Sequence, residues 1–239
     1  MMISLSILEY EPDLSEHTGS IEESEAFSQI TRLIQTGKIR RVHIDVMRPP
    51  MIPSKTRFPV ELIKCLHEGL HGKTQLAIHL MVSDPISLIE KINEFIAREN
   101  RAETTIFIQC ESFSSEQETI EALRLLKEHG YAAGICLDLP TPRGILTRKI
   151  VESADTVLLM SVPMGEGGQK YSAEATRRIA YFAQKFPRKI LEVDGGMNPQ
   201  TIAIAKKAGA EIAVVGSFIT QNTDPVKAVG ELERNLEHP

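Results

Sequence analysis

Only three of the 239 residues are cysteine, and the odd number and wide spacing of Cys65, Cys110 and Cys136 exclude a disulfide framework and a Cys-x-x-Cys zinc site. Buried free thiols are the expectation. No apolar run approaches the roughly 20 residues that a bilayer-spanning helix needs, so no membrane segment is expected. No Lys or Arg precedes Arg32, which leaves no secretory n-region, and the cytoplasm is the expected compartment. The formal charge is -5 and the pI near 5.9, with no strong basic cluster, which excludes a nucleic-acid-binding surface. The Gly-x-Gly-x-x-Gly turn of a doubly wound dinucleotide-binding sheet is missing after the first apolar run. No linker or low-complexity stretch divides the chain, so residues 1–239 read as one domain.

What is present is a rhythm. Hydrophobic residues make up 42% and charged residues 25%, ordinary usage for a globular protein with a continuous core. Short runs rich in Val, Ile and Leu alternate with longer amphipathic segments, the mark of βα units and a parallel sheet. Eight strands are expected: Ile3–Leu8, Arg41–Met47, Gln75–Met81, Thr104–Gln109, Ala132–Leu137, Thr156–Ser161, Lys189–Asp194 and Ile212–Ser217, each followed by a helix. The acidic stretch 9–25 is expected to form the loop after the first strand and the start of its helix. Asp84-Pro85, Asn198-Pro199 and Asp224-Pro225 each supply an N-cap acceptor before a proline suited to the first helical position. Gly130 and Gly209 stand where helices should stop. Eight units in this length predict a single α/β domain, a (β/α)8 TIM barrel.

In such a barrel the active site lies at the C-terminal ends of the strands. The second expected strand carries His43-Ile44-Asp45, and residues two apart in a strand share a face. The third ends His79-Leu80-Met81 and the seventh ends Glu192-Val193-Asp194-Gly195-Gly196. Taken singly, His79 reads as a hydrogen-bonded core histidine and Asp194 as a turn carboxylate. Together, two histidines and two carboxylates at one mouth predict a site for one divalent metal ion: His43, Asp45, His79 and Asp194. Such nitrogen and oxygen donors suit Zn, Fe, Mn or Co, with the choice among them open.

Glycines mark the other half of the mouth: Gly165-Glu166-Gly167-Gly168 after the sixth strand, Gly195-Gly196 after the seventh, and Gly216-Ser217 at the end of the eighth. Glycine lets backbone N–H groups approach anionic oxygens closely, so these loops predict a phosphate cradle.

The stretches His43 to Met47, His79 to Met81, Met160 to Gln169, Glu192 to Gly196, and Gly216-Ser217 resemble, in order and over nearly the whole chain, the ribulose-phosphate 3-epimerases. The resemblance implies a barrel of the ribulose-phosphate-binding type that inverts C3 of a phosphorylated ketose in carbohydrate metabolism, within the pentose phosphate pathway. It implies metal ligation by His43, Asp45, His79 and Asp194, with Asp45 and Asp194 as the acid and base. Ser6 is similar to the family's substrate-contacting serine, Met47, Met81 and Met160 to its pocket-lining methionines, and a homo-oligomer is the family's habit. The chemistry needs no redox cofactor. A proton α to a ketone becomes removable near neutral pH once the developing enediolate is stabilised by a divalent cation, and two carboxylates then remove and return it from opposite sides.

The rim departs from the family's pattern. Arg48 stands where an acidic residue is usual, Glu166 interrupts the glycine loop, Gln109 replaces a histidine, Asp138 an asparagine, and 9–13 lacks the usual Ser-Ala-Asp. A shifted substrate, another pentulose or hexulose phosphate contacted by Arg48, Lys55 or Arg57, is therefore expected. A rival reading is a barrel that binds a phosphosugar without turnover, as a sensor or accessory protein. A decarboxylase or aldolase lacks an inward lysine at the strand ends.

Overall fold

The computed structural model describes residues 1–237. Its eight strands are β1 (Met2–Ser6), β2 (Ile39–Met47), β3 (Gln75–Met81), β4 (Thr104–Gln109), β5 (Ala132–Leu137), β6 (Thr156–Met160), β7 (Ile190–Asp194) and β8 (Ile212–Val215). Each pairs in parallel with its neighbour in sequence, and β8 closes on β1, so the sheet has no free edge. This is a TIM barrel, as the alternation of apolar runs and amphipathic segments predicts.

The outer ring comprises α1 (Glu11–Glu16), α2 (Glu25–Gln35), α3 (Val60–Leu70), α4 (Pro85–Asn93), α5 (Glu116–His129), α6 (Arg148–Ser153), α7 (Ala173–Lys185), α8 (Pro199–Ala208), α9 (Ser217–Thr220) and α10 (Pro225–Glu237). Their starts follow the expected capping chemistry. Asp84 accepts the Ser87 N–H, Asn198 accepts from Gln200 and Thr201, and Asp224 accepts from Lys227. Gly130 and Gly209 end α5 and α8 with φ of 96° and 111°, the left-handed conformation a helix stop favours.

Three expectations need correction. β1, β6 and β8 end earlier than their apolar runs, at Ser6, Met160 and Val215. One further backbone hydrogen bond follows β1 and β6, from the Ile7 N–H to the His43 carbonyl at 3.2 Å and from the Ser161 N–H to the Asp194 carbonyl at 2.7 Å; beyond these Ile7 joins the main core and Val162 the inner cluster. Ser217 therefore opens α9 instead of closing β8. The stretch 9–25 is also more ordered than a loop, since it contains α1 and a short 3₁₀ turn, Ile21–Glu23. Pro12 supplies a helix-compatible φ in the first turn of α1, and Asp13 reaches forward to the Ser24 hydroxyl and the Ala26 N–H, fixing α1 to the start of α2.

The main hydrophobic core lies between the barrel wall and the helices. Inside the barrel a separate apolar cluster of Ala77, Phe107, Cys136, Leu158, Met160, Val162 and Val214 fills one side. Gly134 on β5 makes room for it, because a Cβ there would collide with the Phe107 ring. The other side of the interior is polar: Arg41 and Glu192, 3% and 0% exposed, form an ion pair, and Arg41 Nε donates to Ser4 Oγ at 3.1 Å. Two of the three cysteines, Cys110 and Cys136, are buried free thiols, while Cys65 is half-buried.

Candidate active site and metal centre

Strand parity positions the site. Arg41, His43, Asp45 and Met47 follow each other at two-residue steps along β2 and are all buried. Parallel register sets His79 of β3 beside Asp45, and Met160 of β6 beside Asp194 of β7. One ligand atom from each of His43, Asp45, His79 and Asp194 lies within 4.8 Å of all the others. The four residues predicted from strand ends thus meet at one point.

Asp45 organises the cluster. Its Oδ1 lies 3.2 Å from His43 Nε2 and 3.3 Å from His79 Nδ1, while Oδ2 accepts the Ser6 hydroxyl at 2.8 Å. On the far side of the His43 ring, Nδ1 faces Glu192 Oε1 at 3.6 Å, and Glu192 is in turn paired with Arg41. A carboxylate behind a histidine orients a metal-ligating ring. His79 is oriented by Gln109, whose side-chain amide meets Nε2 at 3.0 Å. Gln109 Oε1 is buried without a partner. Rotating the amide places that oxygen to accept from Nε2–H, the tautomer that frees Nδ1 as a ligand.

The charges fit a cation. Burial disfavours a charged His43, but Asp45, Glu192 and Asp194 outweigh it and raise its pKa to about 10. Burial also opposes ionisation of Asp45, yet His43 and His79 hold its carboxyl well below the usual carboxylate range. Asp194 moves the other way, raised by burial and then by the Asp45 charge. Glu192 stays below its usual range despite complete burial, because Arg41 and His43 stabilise the anion. The carboxylates therefore draw a positive charge into the cluster. His43 Nε2, buried and without an aligned hydrogen-bond partner, is the nitrogen at which a metal would take the place of the proton. The cluster is compatible with a divalent metal ion.

Above it opens a narrow cleft of about 50 Å³. Ser6, Asp45, Asp194, Met47, Met81 and Met160 line it together with Gly165, Glu166, Gly167, Gly168, Gly195, Gly196, Gly216 and Ser217. His43 and His79 are wholly buried beneath its floor, so of the sugar- and phosphate-binding set assigned from the sequence, which includes His79 beside Ser6 and the glycine loops, His79 alone does not line the cleft. Gly196, with φ of 62°, lets the turn after β7 lie against the backbone of Tyr171, which any Cβ would strike. Ser161 fixes the same turn, its single hydroxyl proton shared between the Asp194 carbonyl at 2.7 Å and that of Gly195 at 2.5 Å.

The rim residues have specific roles. Arg48 does not line the cleft: its guanidinium donates to the carbonyls of Met47, Arg57 and Phe58, tying the loop after β2 to its own far end. The expected substrate contact from Arg48 is thereby corrected, since its donors are spent on backbone. That loop packs Ile52 on Met47 and Met81. Glu166 is 70% exposed at its side chain and pairs at the cleft rim with Lys55 at 3.0 Å. Arg57 pairs with Glu11. Asp138 accepts the Met164 N–H at 2.9 Å, and the Gln109 side-chain amide lies 3.2 Å from Met164 Sδ, so Gln109 and Asp138 both contact the residue at 164 after β6.

The sequence reading misses Arg41, Glu192, Ser161 and Glu9 as functional neighbours. Parity could have found two of them, because Arg41 shares a face with His43 and Glu192 shares one with Asp194.

A sequence model of the ribulose-phosphate 3 epimerase family matches residues 20–220. The chain belongs to this family. Among curated members, the cytoplasmic isoform of ribulose-phosphate 3-epimerase from Oryza sativa subsp. japonica is 31% identical over 199 residues, covering 82% of each chain. The ribulose-phosphate 3-epimerase of Bacillus subtilis is 30% identical over 207 residues, covering 83% of this chain and 88% of its own. The epimerase family is one of isomerases. The 3-hexulose-6-phosphate synthase of Salmonella typhimurium superposes with a TM-score of 0.69 at 17% identity over 100% of both chains. The 3-keto-L-gulonate-6-phosphate decarboxylase of Vibrio cholerae gives 0.67 at 9% identity, over 99% of this chain and 97% of that one. These two share the fold. Among the described residues no helix is long and apolar enough to cross a membrane.

Proposed function

We propose that this epimerase-family member catalyses metal-dependent epimerisation at C3 of a phosphorylated ketose, interconverting ribulose 5-phosphate and xylulose 5-phosphate or a close analogue. The observation that carries the reading is Asp45 and Asp194 lining one cleft while sharing a four-residue donor set with His43 and His79. A divalent ion held by these four would stabilise the negative charge that develops on substrate oxygens as C3 loses its proton. The two aspartates divide the proton transfer. Asp45, kept ionised by the histidines beside it, is suited to accept a proton, and Asp194, raised by burial and by Asp45, is suited to donate one. The roles exchange with the epimer bound.

Ser6 holds Asp45 Oδ2 in place, and Ser161 holds the Asp194 backbone, so neither carboxylate has to be ordered during the reaction. Met47, Met81 and Met160 supply an apolar lining that keeps water from the reacting carbon. The glycine loops after β6, β7 and β8 are assigned to the phosphate, far enough from C3 to contribute positioning. No arrangement favours the non-catalytic alternative, which would not need both aspartates.

The test is exchange of the C3 proton of ribulose 5-phosphate with deuterated solvent by metal-loaded protein, with metal content measured on the same sample. Exchange and xylulose 5-phosphate formation are expected. Replacing Asp194 by Asn should lower turnover about a hundredfold or more. Turnover retained in that variant would overthrow the two-aspartate mechanism.

A further inference from the structure

The cleft's glycine-lined end is already approached by an anion belonging to the chain. Glu9 follows β1 in the 3₁₀ turn Leu8–Tyr10 and stands where the family's Ser-Ala-Asp pattern is lost. Its carboxylate reaches between two of the glycine loops. Oε2 lies 3.2 Å from where a Cβ on Gly216 would be, and a Cβ on Gly167 would collide with Oε1. The Thr220 hydroxyl donates to Oε2 at 3.3 Å. Burial pushes the Glu9 carboxyl above its usual range, against the lowering effect of its own backbone N–H and of Thr220.

No Lys or Arg is among the described residues lining this cleft, whereas Glu166, Asp45 and Asp194 are. A phosphate entering beside Glu9 would meet a like charge without a compensating cation. Glu9 also lines a second, adjoining hollow whose wall includes Lys55 and Arg57. The same side chain thus borders a cleft lined by no cation and a hollow lined by two, Lys55 and Arg57, which pair with Glu166 and Glu11.

We propose that Glu9 is a specificity-determining residue: its carboxylate occupies the seat between Gly167 and Gly216 that the substrate's phosphate requires, and a phosphoketose binds by displacing it toward Lys55 and Arg57. This rests on the assignment of the glycine loops to the phosphate. Glu9 then acts as an internal competitor that sets how much anionic character a ligand needs to enter. A ketose without phosphate gains nothing from the displacement and is excluded from it.

The experiment titrates inorganic phosphate into metal-loaded parent, Glu9→Gln and Glu9→Ser proteins, following the phosphorus NMR signal, and measures KM for ribulose 5-phosphate alongside. Removing the charge is expected to tighten phosphate binding about tenfold and to lower KM in proportion, the gain appearing in KM and not in kcat. Lys55→Met is expected to weaken phosphate binding in the parent and to have no such effect in Glu9→Gln. Phosphate affinity that is unchanged or weaker in both Glu9 variants overturns the proposal, as does absence of phosphate binding in all proteins. An equal effect of Lys55→Met in both backgrounds overturns the displacement. If no ketose is turned over yet Glu9→Gln binds phosphate more tightly, the inference stands and the epimerase assignment falls. If epimerisation proceeds with phosphate affinity indifferent to Glu9, the reverse holds.

Discussion

Replacing Arg41 by Met leaves the buried Glu192 carboxylate without its guanidinium partner, facing the His43 ring at 3.6 Å. Both side chains are almost wholly enclosed, and the Arg41 guanidinium otherwise meets only Ser4 Oγ and the Phe107 ring, at 5.9 Å from its centroid. Removing one partner of a buried ion pair costs about 3–5 kcal/mol, because the remaining charge stays desolvated. For a chain of this size that corresponds to a fall in Tm of about 10 °C, and it is a large share of the roughly 5–15 kcal/mol by which such proteins are stable. Urea unfolding should be followed in the presence of a chelator, so that metal binding does not contribute to the difference. The double variant R41M/E192Q removes both charges and should recover most of the loss, since an apolar replacement of a whole buried pair is often neutral. Two results would refute the reasoning: an R41M protein within about 1 kcal/mol of the parent, or a double variant whose loss equals the sum of the singles. E192Q also removes the carboxylate behind His43, and its metal affinity should drop about 10- to 100-fold while R41M, which keeps Glu192, loses less.

Three further outcomes are expected. Metal at about a hundred times its Kd should stabilise the parent by about 2.7 kcal/mol, read as a rise in Tm, and His43→Ala should abolish that rise; a metal-induced shift that survives the substitution would remove His43 from the ligand set. Arg48→Met takes the guanidinium donor from the Phe58 carbonyl and leaves those of Met47 and Arg57 with one backbone N–H each, so it should cost about 1–3 kcal/mol and loosen 48–58 to proteolysis without changing the preference among phosphoketoses; a changed preference would restore Arg48 to substrate contact. The Asp13 carboxyl is held below its usual range by the Ser24 hydroxyl and then by the Ala26 N–H, so its contribution to stability is complete above the unfolded pKa and is lost as pH falls through the lower folded value. The Tm gap between parent and Asp13→Asn should therefore close on acidification, and a gap constant from neutral to strongly acidic pH would disprove the linkage.

Much of the fold is legible because parallel strands buried on both faces appear as compact apolar runs, and β3, β4 and β5 coincide with theirs from end to end. The overshoot at β1 arises where Ile7 leaves the barrel wall but remains buried, a change in partner that composition does not record, and those at β6 and β8 fall on Ser161 and Gly216-Ser217, where the chain already turns into the loops. The ligand set is equally legible, since His43 and Asp45 declare a shared face and His79 and Asp194 fall at corresponding heights on other strands. What escapes is contact across the interior. Arg41 and Glu192 lie on β2 and β7, which are not hydrogen-bonded to each other, and an arginine in a strand ordinarily belongs at the surface. Glu9 escapes for a different reason: it lies in an acidic stretch whose helical turns bring it back over the strand ends.

The lengthwise division of the barrel interior has a consequence for how this protein can be altered. On the side of Phe107, Cys136, Leu158 and Val214, neighbours constrain one another through volume alone, so compensating changes in size can be exchanged piecemeal. On the side of Ser4, Arg41, His43 and Glu192, each group satisfies a charge or a lone pair on the next, and a tolerated change must be made as a set. Directed evolution of this barrel should therefore accumulate single substitutions on one wall and linked substitutions on the other.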